Sequence, residues 1–347
     1  MALTKEALRA RITRIMRDVK TRRLALKDLL RAGISLLARL IDIVLTPIAI
    51  LAAVSLKGIR RLGVQRLPLC RRVLLGIGVL PIRRHYYEPF VHPSDLRKPL
   101  DQQRDLPGIA WNIDGQCEFL AQLRYAEEIA DLNAPATSRM EFRLNNGSFE
   151  SGDAEYLYQL IRAKKPARII EIGSGHSTLI ARRAVLRNRE EIGHECEHVC
   201  IEPFEAPWLE EAGVTVIREQ VEKVAAGLFA QLGRDDLLFI DSSHMIRPQG
   251  DVVTEYLEIL TSLKPGVLVH VHDVFSPRDY LREWVVDRMW LWNEQYLLEA
   301  FLTNNDSWQV IGALNLLHHT HFEELQRVCP YLTRDREPGS FYIQRVK

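Results

Sequence analysis

At 347 residues, 47% hydrophobic and 26% charged, the chain has enough apolar material for a sizeable core, which excludes a mainly disordered polymer. The formal net charge of +1 conceals a split, because residues 1–84 hold 19 Lys/Arg against four acids, a net of +15 that leaves −14 for the remainder. That division fits a basic arm meeting an anionic surface and joined to an acidic body; without interleaved aromatics or a groove-reading motif, the arm does not suit nucleic acid.

Residues 4–31 set Leu8, Ile12, Ile15, Met16 and Val19 at helical spacing among Arg and Lys, which predicts an amphipathic cationic helix suited to anionic lipid headgroups. The next stretch, Gly33 to Leu56, carries only Arg39 and Asp42 as charges and contains Pro47. Its uncharged part, Ile43 to Leu56, would rise about 21 Å as a helix, short of the roughly 30 Å hydrocarbon core. Both flanks are basic (Arg22, Arg23, Lys27 and Arg31 before; Lys57, Arg60, Arg61 and Arg66 after), so charge asymmetry orients no span. An interfacial or re-entrant helix at the cytoplasmic face of a membrane suits this pattern better than a single span. A buried hairpin or a homo-oligomer interface would use the same apolar surface.

Residues 1–67 are therefore expected to form a membrane-associated arm. Residues 68–110, with Pro81, Pro89, Pro93, Pro99 and Pro107, read as a linker wrapping the body, which would occupy 111–347. Tyr86 and Tyr87 in the linker are candidates to line a substrate cleft, although such stretches more often only pack. Five scattered cysteines and no evident cleavable signal suggest a reducing cytoplasmic setting. Cys196 and Cys200 beside His194 and His198 lack the distant pair that a zinc set requires.

Beyond residue 110, helical and strand patterns alternate as in a parallel sheet covered on both faces. Apolar runs at Arg168–Ile172, His198–Glu202, Val214–Arg218, Leu237–Asp241 and Val267–His272 read as buried strands, and Trp308–Asn315 and Phe341–Val346 as two closing strands. Four runs end in or beside an acid: Glu171, Glu202, Asp241 and Asp273. In open parallel sheets ligands bind outside the carboxyl ends of the strands, so these acids outline a site.

The segment Glu171-Ile172-Gly173-Ser174-Gly175-His176-Ser177 follows a strand and opens a helix, where glycines permit a sharp turn and close approach to a ligand. A dinucleotide loop would place a third glycine where Thr178 stands, and Glu171 would repel a pyrophosphate. An ammonium-bearing cofactor suits the loop better.

With E-I-G-S-G-H-S, C-I-E-P, F-I-D-S-S-H and L-K-P-G-V-L-V-H-V-H-D in this order, residues 145–347 resemble class I S-adenosylmethionine (SAM) dependent methyltransferases, most of all the metal-assisted O-methyltransferase branch acting on macrolide sugars and glycans. The resemblance implies an α/β, Rossmann-like, seven-stranded and mostly parallel sheet with helices on both faces and a reversed final strand. It also implies SAM as cofactor. Glu171 would hold the methionine amino group, Gly173, Ser174, Gly175, His176 and Ser177 would pass under the methionine and ribose, and Glu202 would bind the ribose hydroxyls. Gln220 and Val221 would lie near the adenine.

On the acceptor side, Asp241 and His244 stand just past the fourth strand. By the resemblance His244 is the general base, and Asp241 with Asp273 would share Mg²⁺ or a similar divalent cation. The family often has a second acid beside the last aspartate, whereas this chain has His272. Arg247 and His272 are candidate acceptor contacts, and Trp284, Trp290 and Trp292 either wall the acceptor or pack in the core, the latter better matching their spacing in an apparent helix. The expected activity is O-methylation of a sugar or glycan, on a lipid-linked or surface-polymer precursor. Two other classes stay open: an NAD-dependent oxidoreductase, and a membrane-tethered SAM-binding protein without turnover.

Overall fold

The computed structural model describes the backbone of residues 5–135 and 138–347 and the side chains of residues 34–135 and 138–347. The chain divides into two compact units, Met1–Phe90 and Val91–Lys347. The division falls earlier than residue 111. Residues 91–110 count with the second unit, where Arg104 pairs with Glu299 and Ile109 is buried.

In the first unit, the two stretches distinguished by composition form one helix, α1 (Lys5–Leu62), running through Gly33 and Pro47. The side chains of the expected cationic face, Leu8 to Arg31, lie outside those described. Ile34–Leu62 has a mean hydropathy of 2.1 and is, among the described residues, the one helical segment long and apolar enough to cross a membrane; none of its apolar window is buried. A second helix, α2 (Pro68–Ile77), begins on a proline and ends at Gly78 in the left-handed conformation.

The second unit holds a seven-stranded sheet in the order β3-β2-β1-β4-β5-β7-β6. Its strands are β1 (Arg168–Ile172), β2 (Glu197–Ile201), β3 (Thr215–Ile217), β4 (Leu237–Ile240), β5 (Leu268–Val271), β6 (Trp308–Ala313) and β7 (Phe341–Arg345). The first five pair in parallel; β7 runs antiparallel to both β5 and β6. The expected class and number of strands are present, each within two residues of its predicted end.

Helices α3 (Ile113–Gln122), α4 (Asp153–Lys164) and α5 (His176–Ile192) precede or follow the first strand. One face of the sheet, with Ile169, Leu237 and Phe239, packs on Leu157, Leu160 and Ile161 of α4 and Ile180 of α5. The opposite face, with Ile170, Ile172, Leu238 and Ile240, packs on Val252 and Tyr256. Those two lie on α6 (Asp251–Thr254) and on a π-turn (Glu255–Ile259) that continues into α7 (Leu260–Ser262). The unit is completed by α8 (Glu294–Leu302), α9 (Leu314–Thr320) and α10 (Phe322–Val328).

Burial on both faces explains why the central strands read as continuous apolar runs rather than alternating ones. The chain leaves β1 toward β2 and β3 on one side, then returns to β4 on the other. A crevice opens between β1 and β4 at their carboxyl ends, where open α/β sheets bind ligands.

Candidate active site

The loop after β1 and the end of β4 are locked together by backbone contact. Gly173 N donates to Ile201 O at 3.0 Å and Asp241 N to Ile172 O at 2.8 Å, carrying the ladder past the strands onto the rim. Gly173 has φ +78°, and a Cβ there would lie 1.8 Å from the Asp241 carbonyl oxygen. Only glycine fits. Gly175 differs: its φ of −177° is ordinary extended backbone, and a Cβ would meet no protein atom within 4 Å. Any demand for glycine at 175 must therefore come from a ligand.

A cleft of about 820 Å³ opens over this loop. Gly173 to Ser177 line it, together with Glu202, Gln220, Val221, Asp241 and Arg247. Glu202 stands just beyond β2 and is 8% exposed. Its Oε1 accepts from the Phe204 and Glu205 amides at 2.9 and 2.8 Å, while Oε2 faces Ser174 N at 3.4 Å and keeps acceptor capacity toward the cleft. The Ser174 hydroxyl is buried beside the Cys200 thiol. His176 opens α5 with Nδ1 2.8 Å from Ser148 Oγ, and burial lowers its pKa. An adenosine-bearing cofactor fits this lining, with a carboxylate for vicinal hydroxyls and open space above Gly175.

Glu171 does not take the role expected of it. Ile170 and Ile172 point to one face of the sheet, so the intervening Glu171 points to the other, where it is fully buried and absent from the cleft lining. There it accepts from Thr178 Oγ1 at 2.5 Å and lies 3.1 Å from His198 Nε2 and 3.8 Å from Cys200 Sγ. The carboxylate thus pins the first turn of α5 to β1 and β2, and of the four strand-end acids only Glu202 and Asp241 line this cleft. Glu171→Ala should lower stability by about 1–3 kcal/mol, the scale of leaving buried hydrogen-bonding groups such as Thr178 Oγ1 unsatisfied. Because the side chain does not reach the cleft, affinity for S-adenosylhomocysteine (SAH) should change little at temperatures where the variant is folded. Thermal melts alongside calorimetric titration would check this.

Asp241, His244 and Asp273 do converge. His244 Nε2 lies 3.3 Å from Asp241 Oδ1 and 3.4 Å from Asp273 Oδ2, while Nδ1 is 2.9 Å from Glu294 Oε2. His244 has φ +58°, and its carbonyl accepts from Asn293 N and Glu294 N at 3.0 and 3.2 Å, so the start of α8 holds both its backbone and its ring. Burial disfavours the charged imidazole, but hydrogen bonds to Asp241 and Glu294 and the charges of Glu294 and Asp273 outweigh it and raise the His244 pKa well above its ordinary value. Asp241 is also opposed by burial, yet the charges of His272 and His244 and the His244 hydrogen bond bring its pKa below the usual value. At Asp273 burial dominates and raises it.

Donor atoms of Asp241, His244 and Asp273 all lie within 4.8 Å of one another, a spacing that fits one divalent cation held by the two carboxylates. Beyond the cluster a second cleft of about 420 Å³ is lined by Ser148, Asp153, His272, Asp273, Trp284 and Glu337, among others. Ser148 borders both clefts, and the cluster lies between Asp241 on one and Asp273 on the other.

His272 lines this second cleft as expected, packed 5.1 Å from the Phe149 ring with Nε2 3.5 Å from Asp273 Oδ1. Arg247 lines the larger cleft instead, 3.4 Å from Asp251. Tyr86 and Tyr87 belong to the first unit and are 81% and 78% exposed, their rings packed on each other at a tilt of 37°. The tryptophans depart from the core reading. Outside a π-turn at Glu283–Asp287 their segment is not helical, all three rings are only partly buried, Trp284 lines the second cleft, and the Trp292 ring lies 4.3 Å from His244.

Glu294 and Ser148 escaped the sequence reading. Neither belongs to a motif, and Glu294 is 50 residues beyond the histidine it holds. An acid at the first position of a helix was the sole local signal, and that is common for helix-dipole reasons alone.

Residues 170–274 match a family model described as a methyltransferase domain. An uncharacterized protein of Archaeoglobus fulgidus is 27% identical over 133 residues, 36% of this chain and 59% of that protein, so the match spans about three-fifths of the relative's length. Among solved structures, CmcI with SAH is 15% identical with a TM-score of 0.35, covering 75% of this chain and 100% of that one. The MycE methyltransferase from the mycinamycin biosynthetic pathway, in complex with Mg and SAH, is 14% identical with a TM-score of 0.34, covering 63% of this chain and 54% of that one. At such scores the likeness is loose, and the fold assignment stands on the sheet order itself.

Proposed function

Because this chain carries a class I SAM-dependent methyltransferase domain, we propose that it transfers the methyl group of SAM to a hydroxyl of a sugar or glycan. The observation that carries this reading is the Asp241–His244–Asp273 cluster, set between the cofactor-sized cleft and a second, polar cleft.

Glu202 Oε2 would accept from the ribose hydroxyls, Gln220 and Val221 would border the adenine, and the Gly173–Ser177 loop would carry the methionine end toward Asp241. The acceptor enters from the side of His272, Asp273 and Trp284, whose ring face and polar neighbours suit a polyhydroxylated ring. Its oxygen attacks the methyl carbon in line as the carbon–sulfur bond breaks, and the hydroxyl proton passes to His244 Nε2. For that step His244 must be neutral. The carboxylates of Asp241, Glu294 and Asp273 around it oppose this by favouring its protonated form. A divalent cation on Asp241 and Asp273 would supply positive charge to acidify the acceptor hydroxyl. Glu294 keeps the ring in register throughout.

The reading is tested by calorimetric titration with SAM and SAH, followed by transfer of labelled methyl groups to extracted glycans. Wild-type protein should bind both ligands. Glu202→Ala should weaken SAH binding about tenfold, the loss of one to two charge-assisted hydrogen bonds. Failure of the wild type to bind either ligand would refute the proposal.

The composition of the first unit supports a membrane location. Ile43 to Leu56 carries no charge on any side of α1, and its apolar side chains are exposed around most of the circumference. Such a segment inserts into a bilayer rather than floating on it with one wet face. The enzyme would then work at the cytoplasmic face of a membrane, where SAM is available and lipid-linked acceptors are concentrated.

A further inference from the structure

The segment that follows α2 is folded back on the end of α1 by a specific clamp. Arg60 donates from Nε to Glu88 Oε1 at 2.9 Å and from Nη2 to Oε2 at 2.8 Å, and Arg83 Nε lies 3.5 Å from the same carboxylate. The Glu88 side chain is 7% exposed. A bidentate guanidinium–carboxylate pair fixes orientation as well as distance. The strap it closes is 28 residues long and holds α2.

At the tip of the strap His85, Tyr86 and Tyr87 pack ring to ring, with centroids 4.0 to 5.3 Å apart, yet both tyrosines remain almost fully open to water. Among the described residues of the first unit, none covers their outer faces. Leading to them, Leu69, Val73, Leu75, Ile77, Val79, Leu80 and Ile82 are also exposed. From 57 to 88 the chain has eight Lys/Arg and a single acid, Glu88, which the clamp consumes.

Height along α1 connects these features. Lys57 is the first charge after Asp42, and Arg60 follows one turn later, about 5 Å further along the axis. A bilayer that accepts Ile43–Leu56 therefore has its headgroup layer at the level of the clamp. Amphipathic aromatic rings and cations concentrate at that level, tyrosine with its body toward the acyl chains and its hydroxyl toward water.

We propose that residues 57–88 form an interfacial collar that seats on an anionic bilayer, with Tyr86 and Tyr87 at the headgroup boundary, and sets the depth of α1. The collar rests on the membrane reading above and adds to it a surface, a lipid chemistry and a clamp. A protein groove is a poorer occupant, because helix-in-groove recognition uses one apolar stripe, whereas here exposed apolar and aromatic side chains stand among eight Lys/Arg next to the uncharged length of α1.

The test uses full-length protein and vesicles of phosphatidylcholine with and without one-quarter phosphatidylglycerol. Wild type should float with the anionic vesicles, more weakly with neutral ones, and hydrogen exchange across residues 79–88 should slow on binding. Tyr86→Ser with Tyr87→Ser should reduce vesicle partitioning about tenfold, and Glu88→Gln, which opens the clamp, should do likewise, while SAH affinity stays at the wild-type value and reports an intact second unit. If the protein floats but residues 79–88 stay unprotected and the tyrosine variant partitions normally, the collar is wrong and the membrane reading survives. If wild type floats with neither vesicle, both fail. If the tyrosine variant instead alters only the self-association of detergent-solubilised protein, the surface contacts a second copy and the collar is overturned.

Discussion

Gly173→Ala should leave a destabilised protein that no longer binds SAH measurably. Its Cβ would intrude to 1.8 Å from the Asp241 carbonyl oxygen, at a φ of +78° that alanine adopts only under strain. Backbone strain of about 1–2 kcal/mol and steric overlap of about 1–3 kcal/mol are each expected from such a change. Neither can relax cheaply, because the opposing atom is backbone at the end of β4, whose own N–H is bonded to Ile172. Opening the contact would also move Asp241. Gly175→Ala provides the contrast, since its Cβ meets no protein atom and its backbone is extended. It should melt like wild type and lose SAH affinity all the same, because the methyl group projects into space a ligand would fill. Differential scanning calorimetry with SAH titration separates the two, and a Gly173→Ala protein with wild-type melting would show that the loop and β4 are not in contact as described.

His244→Ala is expected to lower the rate of methyl transfer by about 10²–10⁴, the usual range for a general base. SAH binding should survive, since His244 does not line the cofactor cleft. Glu294→Gln should give a smaller loss, because an amide can still hold Nδ1 while contributing no charge. It also removes one cause of the raised His244 pKa, so the rising limb of the rate against pH should move to lower pH. The sign follows from the linkage: a carboxylate near an imidazole favours the protonated form, and its neutralisation lets the base form appear earlier as pH rises. Loss of cofactor binding together with activity in His244→Ala would mean that the histidine is structural. Chelation addresses the cation in the same assay. If Asp241 and Asp273 hold one, thorough chelation should reduce wild-type turnover, and activity unchanged by chelation would leave the two aspartates as polar contacts only.

Much of the fold was legible because a parallel sheet buried on both faces writes each strand as a short apolar run, and the loops between them carry glycine and proline. Boundaries held to within two residues for the same reason. The N-terminal stretch was divided at Gly33 on composition, yet the backbone continues through it as one helix, since a single glycine weakens a helix without ending it. The tryptophan spacing suggested a helix that exists only as a π-turn. Aromatic side chains packing on one another there give an apolar rhythm without a helical backbone.

What the sequence determined by itself is the chemistry available at the strand ends: the loop around Gly173, the acceptor at Glu202, and the pairing of Asp241 with His244 three residues later. Each is a local matter of a strand stopping and a turn beginning, and local spacing encodes it. Only the tertiary structure decided where side chains point and which distant groups they meet. It turned Glu171 away from the cleft, because a strand's alternation shows which residues share a face but not which face a ligand will use. It brought Glu294 to His244 across 50 residues, and it tied Glu88 to Arg60, leaving Tyr86 and Tyr87 outward. Such contacts depend on how whole elements pack, and no short window of sequence contains both partners.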